Sequence, residues 1–315
     1  MFAARGIAVS FSVFVMVYCV LSLAVCFTWR KVRQHSQGLP VRRIADFLVA
    51  LRMFPWVAAA VITAAFTVPS FLLLEPRAID EPLGDIPLIL GICGAGLGIF
   101  GAVNVALAIR GASRTISTWT SEAQPVDSCA PVPVLRISQI VPAMTAAGIV
   151  RPKVLLSGAA ESMLTAKELQ TALNHEVAHV RRRDNLKKLL LLLVAFPGMR
   201  ALEAAWLEAT EMAADDAAVS NAGEALDLAA ALIKLSLGPV EPPVDLTAAL
   251  VHSPGSVMNA RVERLITWSD DRLVPYPRFS PWYGLGAALA TIAVFAVTYS
   301  QLLAHVHSAT EWLVR

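Results

Sequence analysis

The sequence has little charge for its length. Only 16% of its 315 residues are Asp, Glu, Lys or Arg, whereas 56% are hydrophobic, and the mean hydropathy is +0.61. Ordinary soluble domains carry about 25% charged residues, so this composition excludes a purely soluble protein and indicates a membrane protein with one polar module. Basic runs interleaved with aromatic residues are also lacking, and we therefore expect no nucleic-acid partner.

Cysteine is scarce as well. Of the four cysteines, three fall in apolar runs and Cys129 stands alone in a polar stretch, so the spacing predicts neither a disulfide framework nor a thiolate metal site. No histidine lies near Cys129 in sequence, and no Gly-x-Ser-x-Gly motif occurs. The sequence therefore offers no complete set of residues for covalent catalysis through cysteine or serine.

Four apolar runs are long enough to cross a bilayer. They cover residues 7–29, 55–74, 86–109 and 282–303. The first run ends in Trp29-Arg30-Lys31, which is typical of a stop-transfer flank and not of a signal-peptide cleavage site. The sequence thus predicts a mainly α integral membrane protein with four transmembrane helices.

The loops between these runs differ in charge, and this difference predicts the orientation. Six basic residues and one acidic residue, Asp46, lie between positions 30 and 52, whereas the segment 75–85 holds four acids and one base. Short basic loops stay in the cytoplasm, so we expect the polar module on that side of a bacterial-type inner membrane. The predicted domains are a three-span membrane domain, a cytoplasmic module, and a fourth span with a short extracytoplasmic tail: 1–110, 111–280 and 281–315.

The polar module carries an HExxH motif at residues 175–179, within a helical pattern that runs from Thr165 to Arg182. Residues four apart share one face of a helix, so His175 and His179 can both bind one Zn²⁺. Glu176 would stand beside the open coordination position, where it can take a proton from a zinc-bound water and pass it to a leaving amine. A helix with this histidine spacing and no metal is the alternative.

A second helical stretch, residues 205–217, can supply the third protein ligand. We expect Glu211 in this role, because Asp215 lies four residues later on the same face and can accept the second ring N–H of a zinc-bound histidine. Glu208, one turn earlier, is the competing ligand. A solvated acidic face is the alternative for both glutamates.

Three further features of the module have a predicted role: a histidine, a strand and an aspartate. His252 is its only other histidine and is predicted to donate a hydrogen bond to the oxyanion of a tetrahedral intermediate, with a solvent-exposed loop histidine as the alternative. A strand within 152–158 could form the edge of the cleft and bind an extended peptide, or be purely structural. Asp184 is interpreted as the N-cap of the next helix, 186–196, with a role behind a zinc ligand as the alternative.

Three sequence segments together resemble those of the BlaR/MecR-type membrane zinc metallopeptidases. They are His175 to Asp184, Glu211 to Asp215, and Asn259-Ala260-Arg261-Val262-Glu263-Arg264-Leu265. The resemblance covers the polar module and agrees with the order of three spans, zinc domain and one span. It implies a zincin-like α+β module with His175, His179 and Glu211 as ligands of Zn²⁺ and Glu176 as the general base.

The antibiotic-sensing members of that family carry a large penicillin-binding domain after the last span, which this sequence does not contain, so direct acylation by β-lactams is not expected. The resemblance implies proteolysis in signalling, with a cytoplasmic repressor or the protein itself as substrate and membrane lipids as surroundings. An HtpX-like housekeeping membrane protease is one alternative, and a noncatalytic membrane sensor or scaffold with a structural zinc site is another. Pairing of the protein with copies of itself stays open.

Overall fold

The computed structural model describes residues 2–35, 39–75, 84–127, 130–138, 143–237, 247–249, 255–268, 299 and 301–310. This part of the chain is mainly helical and includes a small mixed sheet. Three of its helices are long and apolar enough to cross a membrane: Phe2–Lys31, Val41–Leu74 and Asp85–Thr120. They coincide with the first three predicted spans. The fourth predicted span lies almost entirely outside the described residues, although 301–310 is helical.

The membrane-length helices follow from long apolar stretches with few charges. They are α1 (Phe2–His35), α2 (Val41–Ile62), a π-helical turn (Thr63–Thr67), α3 (Val68–Leu74) and α4 (Asp85–Thr120). The π-turn precedes Pro69, which has no N–H to offer the Ala65 carbonyl four residues earlier. That carbonyl instead accepts a hydrogen bond of 2.7 Å from the Tyr299 hydroxyl. A side chain distant in sequence thus satisfies a backbone group that proline leaves unpaired.

The chain divides into two compact units. The first comprises Met1–Trp29, Met53–Phe100 and Val274–Arg315, and the second comprises Arg30–Arg52 and Gly101–Leu273. In the first unit, small residues allow α1 and α4 to approach closely. A Cβ on Gly91 would lie 3.2 Å from the backbone of Ala8, so glycine permits this contact.

The second unit contains a five-stranded sheet. Its strands are β1 (Gln124–Val126), β2 (Val134–Ile137), β3 (Met144–Ala147), β4 (Lys153–Ser157) and β5 (Thr247–Ala249). The order is β1-β2-β4-β3-β5; β2 and β4 are parallel, and the other neighbours are antiparallel. The strand predicted within 152–158 is confirmed as β4. Of the two interpretations of this strand, the purely structural one is supported, because β4 is hydrogen-bonded on both sides and all but one of its residues are buried.

Besides parts of α2 and α4, the described residues of the second unit form six helices: α5 (Gly158–Met163), α6 (Ala166–Arg182), α7 (Asp184–Leu193), α8 (Arg200–Ala218), α9 (Ala222–Ser236) and α10 (Gly255–Ile266). A capping box starts α6, with Thr165 as N-cap and Glu168 returning to its backbone N–H. The main core lies between β4, α6 and α9, with Leu156, Leu173 and Leu228 among its buried side chains. This packing fixes α6 against the sheet.

Candidate metal centre

The two histidines of the motif lie one above the other on α6 and face the interior. His175 is fully buried and His179 is 2% exposed. Their Nε2 atoms are 3.1 Å apart. The i, i+4 spacing on a regular helix produces this convergence, as the sequence predicts. Two buried ring nitrogens at this distance can both bind one metal ion.

Helix α8 packs on α6 and brings Glu211 to the same point. One carboxylate oxygen of Glu211 lies 3.6 Å from His175 Nε2 and the other lies 3.6 Å from His179 Nε2. Ligand atoms of these three residues all lie within 4.8 Å of one another and could hold a metal ion. Glu208, the competing ligand, lies elsewhere, 3.4 Å from Arg33, with a third of its side chain exposed.

Each histidine has a carboxylate behind it. His175 Nδ1 lies 2.9 Å from Asp215 Oδ1, and His179 Nδ1 lies 2.8 Å from Asp184 Oδ2. A carboxylate only accepts hydrogen bonds, so Asp184 favours the tautomer of His179 with a proton on Nδ1, whereas the 2.9 Å contact of His175 with Asp215 is an ion-pair contact. The Nε2 atom of His179 is then free to face the space between the histidines and Glu211. Metal-bound histidines in proteins are oriented by carboxylates in the same way.

The neighbouring cations keep both carboxylates of the centre ionised. Burial alone would raise the pKa of Glu211, but the charges of His179 and Arg261 and a hydrogen bond from His175 lower it to about 2. The pKa of Asp215 is likewise held well below its usual range, against the effect of burial, by Arg261 and His175. Both carboxylates are therefore ionised at neutral pH. Once His175 has released its proton, two imidazole nitrogens and an anionic oxygen form a donor set that fits a divalent metal such as Zn²⁺.

Glu176 is fully buried next to the histidines and faces β3. Its Oε2 accepts a hydrogen bond of 2.6 Å from the Ala146 N–H, while its Oε1 has no hydrogen-bond partner among the described residues. Burial raises the pKa of Glu176, opposed by the charges of His179 and His175. A buried carboxylate with a raised pKa and one unpaired oxygen can accept and return a proton.

The sequence predicts no role for Asn185 and Arg261, and for Asp184 the structure supports the alternative, a position behind His179. Asp184 is the first residue of α7 and not its N-cap, because Arg183 takes that position with a left-handed backbone. The Asn185 side chain donates to the carbonyls of Ala146 and Gly148 and so ties α7 to β3. Arg261 on α10 contacts both Asp215 and Glu211.

His252, predicted to bind the oxyanion, lies outside the described residues.

The first half of α2 is joined to the two helices that carry the centre and to α7 by ion pairs. Asp46 lies 3.5 Å from Arg182 and 3.4 Å from Lys187, and both of these cations also contact Asp184. Arg52, 1% exposed, donates to Glu203 on α8 at 2.9 Å and to the Val194 carbonyl. The basic segment predicted from the sequence thus belongs to the unit that contains the candidate metal centre, and from Val41 on it is helical.

Comparison with known proteins adds one finding to this geometry. A family described as BlaR1 peptidase M56 matches residues 88–265, which is more than half of the chain and includes α6, α8 and all but the last residue of α10. No curated protein gives a significant match.

Proposed function

Because the chain belongs to the BlaR1 peptidase M56 family, we propose that it is a zinc-dependent membrane endopeptidase whose centre is formed by His175, His179 and Glu211. Membership in this family and three apolar helices support a membrane metallopeptidase. The observation that carries the finer proposal is the convergence of two buried imidazoles and one carboxylate beside Glu176. Two histidines and a glutamate form the ligand set of several zinc peptidases.

The arrangement favours catalysis over a purely structural zinc site. Structural sites are usually closed by four protein ligands, whereas catalytic sites keep one position for water or substrate. Three ligands converge among the described residues. The fourth neighbour, Glu176, already binds Ala146 through one oxygen, so its other oxygen remains for a reacting proton.

The mechanism assigns a separate task to each side chain. Bound Zn²⁺ would polarise the scissile carbonyl and lower the pKa of its water from about 15.7 toward about 7. Glu176 takes the proton of the attacking water at its free Oε1 and delivers it to the leaving nitrogen. Asp215 and Asp184 hold His175 and His179 in the orientation that presents Nε2. Burial of these groups excludes bulk water and strengthens their electrostatic interactions.

The location of the reaction and its substrate follow from the charge pattern and the resemblance. We propose that the centre faces the cytoplasm of a bacterial-type inner membrane, on the side of the basic segment 30–52. The proposed substrates are a cytoplasmic or membrane-proximal protein, such as a repressor, or a copy of the protein itself. Regulated proteolysis in signalling is the role that this combination supports.

The test compares two glutamine variants of the full chain in detergent. Zinc content is measured by elemental analysis, and cleavage is followed on fluorescently labelled casein and on the chain itself. Wild type and Glu176→Gln should each hold one zinc, and of these two proteins only wild type should cleave. The control is Glu208→Gln, which changes a glutamate on α8 outside the centre and should cleave like wild type. Cleavage by Glu176→Gln at the wild-type rate would refute the proposed base.

A further inference from the structure

Arg261 is a fully buried cation at the back of the metal centre. Its guanidinium binds both oxygens of Asp215, from Nε to Oδ2 at 2.8 Å and from Nη2 to Oδ1 at 2.7 Å. Its third nitrogen, Nη1, lies 3.1 Å from Oε2 of Glu211. One planar group therefore contacts the carboxylate behind His175 and the proposed carboxylate ligand together.

The planar shape of the guanidinium allows it to fix the orientation of the carboxylates that it contacts. A bidentate arginine–carboxylate pair fixes direction as well as distance, and lysine cannot reproduce it, because an ammonium is a point charge. Two contacts hold Asp215 against Arg261, and its Oδ1 also lies 2.9 Å from His175 Nδ1. Glu211 has one oxygen drawn toward the cation, which disfavours chelation of a metal through both oxygens.

We propose that Arg261 is a positioning residue that makes Glu211 a one-oxygen metal ligand and aligns Asp215 behind His175. This inference rests on the proposed function, because it assigns a role toward the metal of that same centre. A ligand restricted to one oxygen leaves a coordination position for the water and the substrate carbonyl. The proposal thus links a residue remote from the HExxH motif to the openness of the site.

The position of Arg261 in the fold adds a structural consequence. It lies on α10, and one turn later Arg264 binds the same helix α8, donating to Asp216 at 2.6 Å and to the Met212 carbonyl at 3.2 Å. Two arginines thus attach α10 to α8, but only Arg261 contacts the ligand. The centre is therefore assembled from α6, α8 and α10, and Arg264 provides a matched control for loss of helix attachment alone.

The experiment uses the full chain in detergent with Zn²⁺ and Co²⁺ as probes. Zinc affinity is measured by competition with a chromophoric chelator, and the visible spectrum of the Co²⁺ form reports coordination number. In Arg261→Met we expect zinc affinity to fall by about 10- to 100-fold, the size of effect seen when partners of metal ligands are removed. We also expect the Co²⁺ absorption to weaken as Glu211 binds through both oxygens.

Two variants separate positioning from folding. Arg264→Met should keep the wild-type zinc affinity and Co²⁺ spectrum while lowering thermal stability. Arg261→Lys retains the charge and should fold if Arg261→Met does not, yet it should still show the altered spectrum. A wild-type Co²⁺ spectrum in Arg261→Lys, or an equal loss of zinc affinity in Arg264→Met, would overturn the proposal. Absence of zinc binding by wild type would instead overturn the proposed function.

Discussion

His179 donates its Nδ1–H to Asp184, which lies five residues later in the chain and 2.8 Å away in space. The residue between their two helices, Arg183, has φ of 54° and ψ of 41°, so the chain turns sharply from α6 into α7. Asp184 is fully buried by this turn. Burial alone would raise its pKa, but the hydrogen bond from His179 and nearby cations lower it. An ionised carboxylate is thereby placed behind one proposed ligand.

Replacing that carboxylate should weaken metal binding. Asp184→Asn keeps the size of the side chain but removes the charge that orients the His179 ring, so zinc affinity should fall by about 10- to 100-fold. Competition with a chelator measures this. Glu161→Gln, which removes a partly exposed partner of Arg136, is the control and should bind zinc like wild type. Equal affinities in all three proteins would show that Asp184 has only a structural role.

Metal binding should depend on pH through His175. Burial alone would lower the pKa of this histidine, but in the metal-free protein its bonds to Asp215 and Glu211 raise it to about 9. Metal must therefore displace a proton below pH 9, and apparent zinc affinity should rise about tenfold per pH unit up to that value. Titrations from pH 6.5 to 9.5 test this. An affinity that does not change with pH would contradict it.

The same shift affects the stability of the metal-free protein. Since the folded pKa of His175 lies above its unfolded value of about 6.5, its contribution to stability is complete below pH 6.5 and is lost as pH rises through 9. Glu211 acts in the opposite direction, because its folded pKa of about 2 lies below its unfolded value. Its contribution is lost as pH falls toward 2. The melting temperature, measured in the presence of a chelator, should therefore fall both at low pH, toward 2, and at high pH, near 9.

Two ion pairs on α8 should differ in their effect on stability. Glu203→Gln removes the counter-charge of buried Arg52, and the free energy of unfolding should fall by about 1–3 kcal/mol. Glu208→Gln makes the same chemical change at a pair whose side chains are 41% and 33% exposed, and it should cost less than about 1 kcal/mol. Thermal unfolding of both variants in one detergent gives the comparison. A larger loss in Glu208→Gln would contradict the ranking.

Two glycines of α4 offer a second comparison. A Cβ on Gly101 would collide with the main-chain carbonyl oxygen of Leu193, whereas a Cβ on Gly111 meets no atom within 4 Å. Gly101→Ala should lower the free energy of unfolding by about 1–3 kcal/mol, because backbone must move. Gly111→Ala should stabilise by up to about 1 kcal/mol, since alanine favours the helix. Melting temperatures should therefore shift in opposite directions.

The part of the centre that sequence reasoning located is the part encoded by local spacing. His175 and His179 share a face because they are four residues apart on one helix, and Glu211 and Asp215 are related in the same way on the next. The capping box at Thr165 fixes where the first helix begins. Each of these relationships depends on a few neighbouring residues, so periodicity alone was sufficient to predict them.

The remaining relationships depend on tertiary packing. The sequence leaves Asp184 either as an N-cap or behind a zinc ligand, and the left-handed turn at Arg183 directs it to His179. The strand that donates to Glu176, the proposed base, is Met144–Ala147, which consists mostly of small residues without alternation and is not predicted by the sequence. Arg261 lies 46 positions from Asp215, and no local pattern relates the two. Such contacts arise from how helices and strands pack, which spacing does not encode.

Asp46 and Arg52 are six residues apart on α2, which corresponds to about 9 Å along the helix axis. A slide of α2 by one helical turn, about 5.4 Å, would separate Asp46 from Arg182 and Lys187 and Arg52 from Glu203 at once. The two sets of ion pairs therefore oppose movement of α2 along its own axis. Most resistance to axial displacement comes from the buried arginine, because Asp46 is half exposed and its pairs are screened by water.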